Sequence, residues 1–167
     1  AFTPGDLEGD VRLRASVEAL STAAAAAFNA QVPDADGVYY QSFAGFSAPY
    51  GRAPEGQASL LEALCQNSDG RDGRLSFLGR HDYLATPLIP TAELVAEDPE
   101  LPEDQSMPND GLVAVASARW GAFRGCIPAD HMEQLGQYQL PDTNVRTGFD
   151  VARFYANVAG DLAERGL

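Results

Sequence analysis

Lysine is absent from this chain. All 11 of its basic residues are arginine, set against 24 acids, for a formal charge of −13 at pH 7. So acidic a surface offers no basic patch to neutralise phosphates, which excludes nucleic acid as a partner. It also removes the attraction that docks proteins to anionic membranes. Long apolar runs are absent too. None approaches the roughly 20 residues that cross a bilayer, so the chain is not expected to be transmembrane. Histidine occurs only at His81 and His131, and cysteine only at Cys65 and Cys126. No C-x-x-C pair exists, which excludes zinc-finger spacing. Two cysteines leave two readings open: one disulfide in an exported chain, or two buried free thiols. The sequence starts at Ala1 rather than Met and shows no signal peptide, so a processed chain or a piece of one is expected.

What is present reads as globular. Hydrophobic residues make up 45% of the 167 positions and charged residues 21%, enough for one domain over residues 1–167. From Val11 a helical period places Val17, Leu20, Ala24 and Phe28 on one face, and Pro33 lies beyond its end. That face is either core packing or a surface that meets lipid. "GVYYQSFAG" (37–45) reads as a strand and 47–56 as a loop. Helices are predicted over 59–66 and 86–97, with turn-rich or acidic loops at 66–74 and 97–111. "LVAVAS" (112–117) and "GAFRGCIP" (121–128) are the most apolar stretches of the second half and read as buried strands. Helices are predicted again at 131–137 and 149–165, the latter with Val151, Phe154, Tyr155, Val158 and Leu162 on one stripe before Gly166. His81 has no motif around it and reads as structural, and Trp120 and Phe123 read as core. No internal repeat is visible.

The chemistry concentrates at Asp110 and His131. An Asp-Gly turn at Asp110–Gly111 precedes the apolar run, and His131 follows it. A carboxylate hydrogen-bonded to imidazole Nδ1 fixes the tautomer and stabilises the charged ring, which is what a general base near neutral pH needs. The order of Asp then His is that of the last two triad members in α/β-hydrolases.

The residues around the pair sharpen this. "NDGLV" looks like the catalytic-acid motif of the bacterial triacylglycerol lipases, the secreted true-lipase group of the α/β-hydrolase superfamily, with Asp110 at the acid position. "DHMEQLGQ" resembles that group's "NHLDE-x-x-Q" segment, with His131 at the histidine position. "GFDVARFYANVAGDLAERGL" resembles its closing helix, and "VRLRASVEALSTAAAAAFNAQVPDADGVYYQSFAG" resembles the region behind its lid. The resemblance runs from Val11 to Leu167. It implies the C-terminal portion of an α/β-hydrolase: lid-side helices within 11–57, the last sheet strands and the closing helix. The implied activity is carboxylic ester hydrolysis by a secreted enzyme on water-insoluble acylglycerols.

The chain departs from the pattern in its nucleophile. There is no G-x-S-x-G and no H-G oxyanion segment. The nearest look-alike is "GFSAP" (45–49), where Pro49 breaks the motif, so Ser47 is not expected to be the nucleophile. The resemblance therefore implies that the serine lies on an N-terminal lipase chain or missing N-terminal segment. Rival readings are a non-catalytic or inactive lipase-like subunit and a polyester or phospholipid esterase. The resemblance also implies a structural calcium ion with Glu133 and Gln137 as side-chain ligands and a carbonyl near Pro141. No acid among Asp98, Glu100, Glu103 and Asp104 stands at a matching upstream position. A solvated helix N-terminus would favour Glu133 equally. The exported-enzyme resemblance favours a Cys65–Cys126 disulfide, at a place the family does not share.

Overall fold

The alanine run "TAAAAAFNAQ" carries almost no cost of side-chain ordering, and it forms helix α1, Thr22–Gln31. Ser21 caps it by accepting the Ala24 N–H at 3.2 Å. The computed structural model describes residues 21–74, 80–137 and 144–167. Val11, where the predicted helix begins, and Val17 and Leu20 of its stripe lie outside the described residues, as does Pro141. Phe28, within α1, is exposed. The chain divides into two units, Ala1–Tyr39 with α1 and Tyr40–Leu167 with everything that follows.

The second unit is built on short parallel strands. β1 (Gln41–Gly45) begins later than its sequence suggested, after a turn at Asp36 and Gly37, the latter with a φ of 77°. β1 pairs in parallel with β4 (Ala122–Ile127), with Gly45 opposite Ile127. The stretch read as a loop from Ser47 opens with a two-residue strand, β2 (Ser47–Ala48), which pairs in parallel with β3 (Asp82–Tyr83). Parallel strands separated by helices are compatible with an α/β fold, with two small sheets among the described residues.

Helix α2 (Glu55–Leu64) starts earlier than the apolar period alone indicates. The Pro54 carbonyl accepts the N–H groups of both Gln57 and Ala58, so the helix nucleates there. It ends at Cys65, which is disulfide-bonded to Cys126 on β4. The expected bridge is therefore present and ties α2 to the sheet. Beside it Gly125 has a φ of 121°, and a Cβ there would lie 2.6 Å from Gly73 Cα, so only glycine suits this crossing. Ala44, Phe46, Leu61, Val115 and Phe123 pack with the bridge as the main core. Trp120, by contrast, is partly exposed.

The 86–97 helix is a 3-10 turn, Thr86–Leu88, continued by α3, Ile89–Ala96. Pro87 and Pro90 sit in the first turn of each, where no N–H is needed. The apolar "LVAVAS" is a correction to the sequence reading: it forms turns and a single bridge, not a strand. Asp110 Oδ1 takes the N–H groups of Leu112 and Val113 at 3.0 and 2.7 Å. Those amides are then withheld from a ladder, and Leu112 is left 43% exposed. The helix expected over 131–137 is shorter, one 3-10 turn at Glu133–Leu135 stopped by Gly136 at a φ of 70°.

The closing helix α4 spans Val151–Glu164 and is capped by Asp150, which accepts the Arg153 N–H at 2.9 Å. Its stripe carries Val151 and Phe154 against Ile127, Ala129 and Phe149, with the Phe43 and Phe154 rings edge to face at 4.9 Å. No helix among the described residues is long and apolar enough to cross a membrane.

Candidate active site

Two turns meet where β1 and β4 end and β2 begins. The first holds Asp110. Its residue Asn109 is buried and donates through Nδ2 to the carbonyls of Ala92 and Met107, while its Oδ1 accepts the Gly111 N–H at 2.9 Å. Ser47 N–H reaches the Asn109 carbonyl, which ties this turn to β2. The second turn holds His131. Asp130, buried, accepts the N–H groups of Met132 and Glu133 through Oδ1 and that of Ala85 through Oδ2. The backbone then joins the turns directly, His131 N–H donating to the Asp110 carbonyl at 2.9 Å.

This scaffold brings the two side chains together. His131 Nδ1 lies 3.1 Å from Asp110 Oδ2, within hydrogen-bond distance. The Asp110 side chain is 5% exposed and that of His131 34%. The acid is thus shielded and held while the imidazole opens to solvent. Gln134 Nε2 donates to the same Asp110 oxygen at 2.7 Å. Among the described residues the ring hydrogen bond of His131 runs through Nδ1 alone, so Nε2 is left for an incoming hydroxyl. Chemically, the arrangement can take a proton on Nε2, and the buried carboxylate then stabilises the imidazolium.

Ser47 does not serve this pair. Its hydroxyl is buried and donates to Asp82 Oδ2 at 2.8 Å. His81 is half-buried with its ring edge-on to Phe46, and burial together with Arg146 and Arg74 pushes it below its ordinary pKa. A cavity of about 620 Å³ lies between β1, β4 and α4, over Phe43, Phe149 and Phe154. Neither Asp110 nor His131 lines it.

Gln137 is exposed. Glu133 lies beside Asp82, which no motif in the sequence singles out. Asn144 Nδ2 donates to Asp82 Oδ1 at 2.6 Å and to Glu133 Oε1 at 2.8 Å. Burial, with the Asp82 charge beside it, pushes Glu133 up to about 8. Burial also raises Asp82, against the hydrogen bonds from Glu133, Ser47 and Asn144 that lower it. Two oxygen-ligand carboxylates with too little positive charge near them suit a hard divalent cation in charge and donor type. Among the described residues, however, no group of three or more acidic, histidine or cysteine side chains has metal-binding geometry.

No family model matches the chain, and no solved structure matches it. Over 70 residues the chain is 35% identical to Triacylglycerol lipase 2 of Saccharomyces cerevisiae. The matched part is 36% of this chain and spans only 22% of the yeast protein's length. The chain therefore carries a weak, partial similarity to a triacylglycerol lipase.

Proposed function

We propose that this chain supplies the acid and base of a serine-dependent carboxylic ester hydrolase acting on triacylglycerols, secreted and of the bacterial true-lipase kind. In this reading the chain is the C-terminal portion of an α/β-hydrolase, and a segment or partner polypeptide bearing G-x-S-x-G supplies the serine. His131 takes the serine proton through Nε2 as the hydroxyl attacks the ester carbonyl, then returns it to the departing alcohol. Asp110 keeps the Nδ1–H tautomer and stabilises the imidazolium. The observation that carries the reading is the 3.1 Å contact between His131 Nδ1 and a buried, backbone-anchored Asp110. The similarity to a triacylglycerol lipase supports the substrate class.

A structural calcium ion would be held by Asp82 and Glu133, not by Gln137. Bound there, it would neutralise the pair and clamp the His131 turn to β3.

A serine-directed phosphonate tests the assignment. The adduct should form on a serine outside this chain, in a co-purifying polypeptide or an attached N-terminal segment, and His131→Ala should abolish it. Labelling of a serine within this chain would overturn the proposal.

A further inference from the structure

We propose that Gln134 is a positioning residue that locks the Asp110 carboxylate onto His131; the inference rests on the acid–base reading above. Its two amide protons are both used. One goes to Asp110 Oδ2 at 2.7 Å, and the other to the Asp130 carbonyl at 3.3 Å. The amide therefore stitches the acid turn to the histidine turn. Asp110 Oδ2 receives Gln134 and His131, while Oδ1 receives the Leu112 and Val113 N–H groups. An ionised carboxylate offers about four lone-pair sites. All are filled, so the group has no second orientation that keeps its donors.

Two neighbours hold Gln134 itself. The Tyr155 hydroxyl, from α4, donates to its backbone carbonyl at 2.9 Å. Gly45, the last residue of β1, lies under the amide. A Cβ there would overlap Gln134 Nε2 and come within 2.7 Å of the Ala129 carbonyl. The glycine clears the space through which the amide reaches Asp110.

Without the amide, one side of Oδ2 is free, and the carboxylate can turn towards water. The Nδ1–H then loses its fixed acceptor, and the tautomer with the proton on Nε2 gains population. That tautomer has no lone pair to accept a serine proton.

The test replaces Gln134 with methionine, similar in size but without a donor. The histidine 15N tautomer spectrum and the protected downfield Nδ1 proton of His131 are recorded, with His81 the other histidine of this chain. Activity is measured in the protein that carries its nucleophile. Gln134→Met should broaden or lose the Nδ1 proton, mix the tautomers, and lower kcat by roughly tenfold with KM unchanged. Gln134→Asn, which keeps an amide too short to reach, should repeat this and replaces the methionine variant if that one does not fold. An unchanged tautomer signature in the folded variant overturns the inference, whatever the rate does. A changed signature with an unchanged rate upholds the positioning role and sinks the catalytic reading instead.

Discussion

Asp82 and Glu133, one on β3 and the other in the 3-10 turn after His131, stand side by side with the Asn144 amide reaching both. Asn144 cannot turn its carbonyl towards them, because its Oδ1 accepts the Arg146 and Thr147 N–H groups. The carboxylates must therefore settle their repulsion with a proton or a cation.

That relationship predicts a pH dependence. With divalent ions chelated, Glu133 keeps its proton in the native state up to about 8, whereas the unfolded chain releases it near the ordinary 4.5. The native state thus binds more protons across this window, and stability falls as pH rises from about 4.5 to about 8. Thermal melts of Glu133→Gln should lose that part of the slope. If the variant falls as steeply as the native protein, the carboxylate pair is not its source.

Calcium should act on the same pair. Near pH 8, millimolar calcium should raise the melting temperature of the native protein, since an ion that binds only the folded state stabilises it by mass action. Asp82→Asn and Glu133→Gln should be insensitive, and Gln137→Ala should respond like the native protein. A response lost in Gln137→Ala and kept in Asp82→Asn would reverse the ligand assignment.

The Cys65–Cys126 bridge closes a loop with a sequence separation of 61. In the chain-entropy model it contributes about 4 kcal/mol. A double Cys→Ser variant should therefore melt on the order of 10 °C lower, and thiol titration of the unreduced, denatured protein should find no free thiol. Two reactive thiols would contradict the bridge.

Gly111 lets the acid turn close. Its φ is 101°, and a Cβ would lie 2.8 Å from Leu88 Cβ and 2.9 Å from Leu84 Cδ1. Gly111→Ala should cost roughly 1–3 kcal/mol and displace Asp110 from His131, lowering activity more than stability. Denaturant unfolding beside the rate measurement checks this, and an active, fully stable variant would contradict it.

The sequence shows the parts of this site that short motifs encode. "NDGLV" and "DHMEQ" single out Asp110 and His131, and these two are in contact. The α4 stripe is legible in part, since Val151 and Phe154 pack inward while Tyr155 is exposed, and the cysteine pair follows from the even count and the resemblance. Asp82 and Asn144 matter through partners far along the chain, and no local pattern marks them; Gln134 lies within the histidine motif, but its bond to Asp110 shows only in the fold. "LVAVAS" misled for a different reason. Its composition suits a buried strand, but the Asp110 side chain takes two of its N–H groups. A short polar side chain thereby overrides an apolar run, and only the folded geometry reveals it.

The central claim is that His131 and Asp110 form a working acid–base pair, and steady-state hydrolysis of emulsified triacylglycerol tests it most directly. In the protein with its nucleophile-bearing segment, His131→Ala and Asp110→Asn should each lower kcat by about a thousandfold or more, with assembly intact by size-exclusion chromatography. Either variant retaining activity within tenfold of the native protein would contradict the account.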